Sequence, residues 1–300
     1  MSPKTKTIIN QNVIKFNKLF KKAINKINLN LNPYQLYLNF KFTKPFLKIH
    51  NNTQEIQKKT LFKIIEKNKN TNFGNKNNFI NIKSIEDYKN NVAISKYENL
   101  KEYIEKSKNS YLKNNNELIK DKIHYYSITT GTTSYPKFIP HTKDYILFRK
   151  NAWNIWTNSI FQEKPETFSL GGSILTFTSK PYDGKLKSGA KFGSISGLLH
   201  EIQPKFIKYM YAYPNEILLI ENFHIKYYLI LLFSLKKKIN IFVTPNPSTL
   251  IIYGKKFEEH YDELINDLEN NHIEILEKDK NIDYNLKKKI LSIYKKNKKR

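Results

Sequence analysis

The chain has 300 residues, 39% hydrophobic and 14% aromatic with 20 Tyr and 19 Phe, which is enough to bury a large core and excludes a wholly disordered chain. Its formal charge of +26 rests almost wholly on lysine, with arginine only at Arg149 and Arg300, so specific nucleic-acid binding, which favours the bidentate guanidinium, is not expected. Having no cysteine excludes disulfides, thiolate zinc sites and Cys nucleophiles, and the Asn-, Ile- and Lys-rich, Ala-poor composition reads as that of an AT-biased genome.

Residues 1–50 are basic and Asn-rich with scattered apolar positions, and are expected to be helical or irregular. A helix is predicted from Gln54 to Lys67, with Ile56, Leu61, Ile64 and Ile65 on one face, followed by a polar loop from Asn68 to Asn81. Tyr97, Leu100 and Ile104 predict a second helix to Ser107, and Lys108–Asp121 reads as a solvated connection. Then come an apolar strand Tyr125–Ile128, a dense Thr/Gly/Ser/Pro turn, a short strand around Phe138–Ile139 and a helix beginning near Thr142. Tyr145, Phe148, Ala152, Trp153 and Trp156 are expected to form that helix's buried stripe.

Further along, apolar segments Ser173–Phe177, Glu216–Ile220 and Ile239–Val243 alternate with a Gly-rich stretch to Gly197 and a helix over Phe223–Leu235. Strand, crossover helix and strand predict parallel pairing of the last two segments in an α/β sheet. The longest apolar run, Tyr227–Leu235, ends at Lys236-Lys237-Lys238 and is too short to span a bilayer. With no signal-peptide pattern at the start, a cytoplasmic protein with no membrane partner is expected. Asn246-Pro247 opens a long predicted helix with Leu250, Gly254, Phe257, Tyr261, Leu264 and Leu268 on one stripe, and 276–300 reads as an exposed Lys-rich tail.

The chemistry concentrates in Ser127–Lys137, where Thr129, Thr130, Thr132, Thr133 and Ser134 surround Gly131. Hydroxyls and backbone N–H groups on such a loop can grip a polyphosphate, with Lys137 supplying charge. By composition alone, a polar surface turn stays open beside that reading. The loop lacks the Gly-Lys-Ser/Thr ending of a Walker A motif, and no base stands beside the threonines to activate one as a nucleophile. With no Asp or Glu at ligand spacing, His124 and His141 are expected to be structural or solvated.

Thr130-Gly131-Thr132-Thr133 with Pro136-Lys137 resembles the first ATP motif of adenylate-forming enzymes, and the extension Phe138-Ile139-Pro140-His141-Thr142 resembles its GH3-family version. Phe73-Gly74, Ile85–Tyr88, Val92–Ile104, Leu170–Ser173 and Asn246-Pro247-Ser248-Thr249-Leu250 are similar to further GH3 segments in the same order, together covering 54–271. The resemblance implies the large amino-terminal domain of the adenylate-forming α/β fold, mainly a parallel sheet flanked by helices, placed over 51–275. It implies ATP-dependent activation of a small carboxylic acid to an acyl-adenylate, then transfer to an amine such as an amino acid. In that scheme Thr129, Thr130, Gly131, Thr132, Thr133, Ser134 and Lys137 bind ATP with Mg²⁺ bridging its phosphates, Lys137 and Thr132 act in catalysis, and Asn246, Ser248 and Thr249 lie near the acyl pocket.

Two departures stand out. Ser134-Tyr135 replaces the second glycine or small residue of many relatives, and the family's later Tyr-Gly-Ser/Thr-Ser/Thr-Glu and Arg-x-Gly-Asp motifs are not found. Three expectations follow: part of a ligase, completed if need be by a separately encoded second half; a non-catalytic remnant of one; or, less favoured, a basic nucleic-acid-binding protein. The isolated chain is expected to be poorly soluble, because missing partners leave sheet edges and apolar faces open.

Overall fold

The computed structural model describes residues 33–109, 117–129, 136–168, 171–244 and 246–296. The principal helices are α1 (Thr53–Asn68), α2 (Tyr97–Asn109), α3 (Lys143–Glu163), α4 (Phe223–Leu235), α5 (Ser248–Glu259), α6 (Tyr261–Glu269) and α7 (Tyr284–Lys296). The strands are β1 (Ile123–Thr129), β2 (Lys137–Thr142), β3 (Gly172–Thr176), β4 (Gly184–Lys185), β5 (Lys191–Gly193) and β6 (Lys238–Val243). The chain divides into two compact units: residues up to Asn52 with Arg149–Gly171, and Thr53–Phe148 with the chain from Gly172 onward.

In the first unit, helices Pro33–Leu38 and Lys44–His50 are joined by a π-helical turn, Asn39–Thr43. Leu38 is fully buried, and the buried Asn158 amide of α3 donates to Thr43 Oγ1 at 2.9 Å. Thr157, Asn158 and Phe161 are the buried residues of α3. The expected aromatic stripe is therefore corrected: Trp153 and Trp156 face solvent with their rings 4.8 Å apart, and Tyr145, Phe148 and Ala152 are exposed as well. Three- and four-residue spacing marks a face of a helix, but not which face finds a partner.

The second unit opens on α1, whose Ile65 packs with Phe79 and Ile82, supported by Leu61, Phe62 and Phe73. Ile64, placed on the buried face by periodicity, is 53% exposed. The expected polar loop after α1 is also corrected, since it holds helix Asn72–Lys76 and a 3₁₀ turn that buries Phe79. Thr71 Oγ1 caps the first by accepting from Gly74 N–H at 2.9 Å. At helix Ile85–Asn91, Ser84 Oγ accepts from Asp87 N–H at 3.0 Å and Asp87 Oδ2 from Ser84 N–H at 2.8 Å, a capping box. Ser84→Ala is expected to cost about 1 kcal/mol in urea unfolding, and Ser84→Asn less than half of that.

A four-stranded sheet runs β2-β1-β5-β4, with β1 antiparallel to β2, parallel to β5, and β5 antiparallel to β4. Tyr126 is fully buried on one face with Ile104, Ile123 and Ala190. A second pair, β3 and β6, is parallel, with α4 in the connection between them. Pairing among the described strands is thus mixed, not mainly parallel. The expected strand Glu216–Ile220 is a 3₁₀ turn, Asn215–Leu219, closed by Ile217 N–H to the Pro214 carbonyl; β6 takes β3 as its partner instead.

Helix α4 is apolar all round, and everything from Tyr227 to Ser234 is buried, which is possible only for a helix covered on every side. Its cover includes β3, α6 and, at the carboxyl end, α7, whose Ile290 and Tyr294 are both fully buried. The 276–300 segment is therefore not an exposed tail over its described part. Nor is Lys236 a solvated helix end, since its ammonium lies 3.3 Å from the Tyr294 ring centroid and 3.1 Å from Asn271 Oδ1. The long helix expected from Asn246 breaks at His260, whose φ of −111° and ψ of 18° are not helical. Leu250 and Gly254 consequently face solvent, while Tyr253, Phe257, Leu264 and Leu268 meet the core.

Candidate functional site

Two paired strands and a helix follow one another as expected, and the hairpin ladder ends with Thr129 directly opposite Lys137. Those two residues stand at the root of the hydroxyl-rich loop. Thr130, Gly131, Thr132, Thr133 and Ser134 lie outside the described residues. Thr129 is exposed, and the Lys137 ammonium lies 3.4 Å from Glu98 Oε1 and 5.3 Å from the Tyr97 ring centroid. Tyr97 Oη in turn accepts from Phe138 N–H at 3.0 Å, so α2 braces the start of β2. The Glu98 carboxyl is held below its ordinary pKa by its own backbone N–H and then by Lys137. Because Glu98 is 62% exposed, that ion pair is weak and salt-screened, and Lys137 can exchange the carboxylate for another anion.

His141 Nε2 lies 2.8 Å from Ser127 Oγ, both groups buried, and its ring stacks 5.1 Å from Tyr145. It locks β2 to β1, while His124 is exposed. The buried Tyr125 hydroxyl sits 2.9 Å from the Pro181 carbonyl and 2.8 Å from the Ser194 carbonyl, donating its proton to one of them. Burial pushes its pKa up, so it stays protonated and fastens the 179–197 segment beside β1. Between that segment and the carboxyl end of β1 is a cavity of about 410 Å³, walled by Ile128, Ser179, Lys180, Asp183, Glu221 and Lys226 among others.

Asn246 and Ser248 stand elsewhere, after β6. Asn246 Oδ1 accepts from Ser248 N–H and from Ser248 Oγ, each at 3.0 Å, a local turn leading into α5; Thr249 is half-buried on the helix's first turn. Structure therefore unites Thr129 and Lys137, and seats Asn246, Ser248 and Thr249 at the end of a different sheet. Glu98, Tyr97 and Lys226 were not signalled by the sequence, because each reaches its neighbours only through long-range packing.

The donor set at the hairpin root, one ammonium with a hydroxyl beside it, fits phosphate oxygens. No group of three or more His, Asp or Glu that could hold a metal occurs among the described residues.

Fold and sequence together define a mixed α/β protein with a hydroxyl-rich segment between the first two strands of its sheet. The GH3 family N-terminal domain matches residues 42–300, so the chain belongs to the GH3 family. A comparison with curated proteins gives no match. Among solved structures, a GH3.15 acyl acid amido synthetase superposes with a TM-score of 0.67 at 19% identity, covering 83% of this chain and 44% of its own. AtGH3.15 acyl acid amido synthetase in complex with 2,4-DB superposes with a TM-score of 0.68 at 18% identity, covering 89% and 45%. The fold is thus that of GH3 adenylate-forming enzymes, and the chain spans less than half the length of these solved structures.

Proposed function

We propose that this chain supplies the nucleotide-gripping part of an ATP-dependent acyl acid amido synthetase working in the cytoplasm. The observation that carries the reading is the hairpin closed by Thr129 and Lys137 around a Thr-Gly-Thr-Thr loop, in a chain matched to the GH3 family over 42–300. Thr129, Thr130, Gly131, Thr132, Thr133, Ser134 and Lys137 hold the β- and γ-phosphates of ATP, and Lys137 trades Glu98 for a phosphate oxygen. Lys137 and Thr132 stabilise the charge that builds as the carboxylate oxygen of a small acid bonds to the α-phosphorus and the bond to pyrophosphate breaks. Mg²⁺ bound with the nucleotide would supply further neutralisation of that charge beside Lys137. In a second step an amine nitrogen bonds to the acyl carbon, AMP leaves and the amine proton passes to solvent.

Residues 51–275 form the working domain in this reading, and Asn246, Ser248 and Thr249 bear on the acid side of the site. Their hydrogen bonds to one another fix the turn from which Thr249 projects. The remaining length of the relatives is supplied as a further part of the protein, continuous with this chain or separately encoded. The second reading, a non-catalytic remnant, predicts no activity with any added part.

The test is ATP-dependent pyrophosphate release with a mixture of small carboxylic acids and Mg²⁺, with and without a polypeptide supplying the carboxyl-terminal part. Lys137→Ala is expected to lower release by about 10²-fold, the scale of one lost charge-stabilising donor. Release that Lys137→Ala leaves untouched would sink the role of the loop, and no release under any condition favours the remnant.

A further inference from the structure

The helical run 33–50 of the first unit carries a surface that the proposed nucleotide chemistry leaves unused. Its backbone stays in the right-handed helical region through the π-helical turn, where Lys44 N–H reaches back to the Asn39 carbonyl. That wider turn makes room for Pro45, whose ring would press on the preceding turn of a regular helix. One side of the run is packed: Leu38 is fully buried, Thr43 Oγ1 takes the Asn158 amide, and the Tyr34 ring meets Phe161 edge-on at 6.1 Å.

The solvent side is apolar as well. Leu36, Tyr37, Phe40 and Leu47 are exposed, Phe40 to 61% and Leu47 to 59%. Lysines stand among them. The Lys44 ammonium lies 4.1 Å from the Phe40 ring centroid, and that of Lys41 lies 5.1 Å from the Tyr37 centroid and donates to its hydroxyl at 3.0 Å. Lys48 is exposed next to Leu47. None of the three lysines makes an ion pair among the described residues, and the sequence explains why: Glu55 is the first acidic residue of the chain, preceded by ten lysines. An even spread of 26 acids over 300 residues would place about five in that stretch. A lysine-rich composition adds cations but does not keep acids away. The family match begins only at residue 42, so Leu36, Tyr37, Phe40 and Lys41 precede it.

We infer that this side of the helix lies in an anionic lipid surface, with Phe40 and Leu47 at the acyl boundary and Lys41, Lys44 and Lys48 on the headgroup phosphates. A helix so placed needs one apolar side with cations beside it and no spanning length, so it fits a chain in which no described helix is long and apolar enough to cross a membrane. The sequence pattern excludes a spanning run, not a surface contact. Cations and apolar side chains are satisfied together only by lipid. Nucleic acid would take the ammonium groups and leave Phe40 and Leu47 in water, and a second copy of the chain would set one acid-free, lysine-bearing face against another.

The experiment is flotation of the full 300-residue chain with lipid vesicles on a density gradient, in which bound protein rises and any aggregate sinks. Neutral phosphatidylcholine vesicles are compared with vesicles containing about one-third phosphatidylglycerol. The anionic vesicles are expected to bind about tenfold tighter or more, and salt at about 0.5 M to remove most of that preference. Phe40→Ser with Leu47→Gln is expected to weaken binding about tenfold or more. Lys41→Gln with Lys44→Gln and Lys48→Gln is expected to bring anionic vesicles down to the neutral level. Both sets exchange exposed side chains, so the melting temperature is expected to hold, and Ile64→Ser, exposed in the second unit, is the control that leaves binding unchanged. No flotation with either vesicle, equal flotation with both, or unchanged flotation in Phe40→Ser with Leu47→Gln would each overturn the inference. Tighter binding to a mixed-sequence RNA than to anionic vesicles would assign the lysines to nucleic acid and overturn it as well. A dimer that sediments without floating, and that the same double substitution breaks, would assign the face to a second copy. Flotation needs no nucleotide and pyrophosphate release needs no lipid, so the two readings fail separately.

Discussion

Replacing Asp267 by alanine is expected to cost about 3 kcal/mol of folding stability, the largest single effect outside the apolar core. Asp267 is 1% exposed in α6, where its Oδ2 accepts from the Tyr228 hydroxyl of α4 at 2.7 Å and from Glu274 N–H at 3.3 Å. Its main-chain carbonyl accepts from Tyr294 Oη of α7 at 3.1 Å and from His272 N–H at 3.0 Å. Alanine keeps the carbonyl contacts but leaves the Tyr228 hydroxyl, on a residue 2% exposed, without its acceptor, and an unsatisfied buried donor costs about 1–3 kcal/mol by itself. A urea midpoint shifted at unchanged slope is the expected readout, and a cycle with Tyr228→Phe isolates the pair. A cost below about 1 kcal/mol would mean that the hydroxyl finds another acceptor.

Asparagine at the same position keeps an acceptor and is expected to cost far less at neutral pH. Burial raises the Asp267 carboxyl pKa above its ordinary 3.8, against the lowering by Tyr228 and the Glu274 N–H. Because the folded value lies above the unfolded one, the folded state binds more protons in the window between them, and stability falls as pH rises through it. Relative to Asp267→Asn, the native protein should therefore lose stability from just below pH 4 upward, flattening once the folded carboxyl has ionised. Melting temperatures of the two proteins across that range test the sign; an advantage of the native protein over Asp267→Asn that shrinks as pH falls would reverse it.

Gly197→Ala is the second substitution with a large expected effect. A Cβ there would lie 2.5 Å from the Lys180 carbonyl oxygen and 2.6 Å from that of Ser179, both backbone atoms that cannot swing aside. The helix Ile195–Glu201 is held at the same place by Ser194 Oγ, which accepts from Gly197 N–H at 2.9 Å. Relief must come from moving the Ser179–Lys180 strip, at a cost of about 2–3 kcal/mol. That strip also walls the cavity with Lys226, so the cavity should be reshaped as the melting temperature falls. The control is Gly254→Ala in α5, where the added methyl meets nothing within 4 Å and helix propensity should stabilise by about 0.5–1 kcal/mol. An unchanged melting temperature in Gly197→Ala would show the strip to be pliable.

Much of the local structure was legible from residue spacing. The run of α1, the hairpin of β1 and β2 and the extent of α4 follow from apolar patterning, turn residues and an unbroken apolar stretch. The hydroxyl-rich segment was legible as composition, and the GH3 relationship as short motifs in a fixed order, which the match over 42–300 bears out. Errors fell where a pattern has two solutions. A five-residue apolar run such as Glu216–Ile220 suits a strand or a 3₁₀ turn equally, and here Pro214 and the waiting edge of β3 decided it. Trp153 and Trp156 sit at helical spacing, but burial went to Thr157, Asn158 and Phe161. The Lys-rich end hid Ile290 and Tyr294, whose four-residue spacing puts both on one face of α7 against α4.

The sequence by itself determined the elements that depend on neighbours within a few residues: the runs of α1 and α4, the pairing of β1 with β2, and the family motifs. Only the tertiary structure decided that β6 pairs with β3, that Glu98 meets Lys137, and that Lys180, Lys226, Asp183 and Glu221 share one cavity. Local patterns are written by steric and hydrogen-bonding preferences with a reach of one helical turn or one strand pair. The partners of a charge or of a sheet edge lie many tens of residues away, and are fixed by how apolar faces such as that of α4 are buried together.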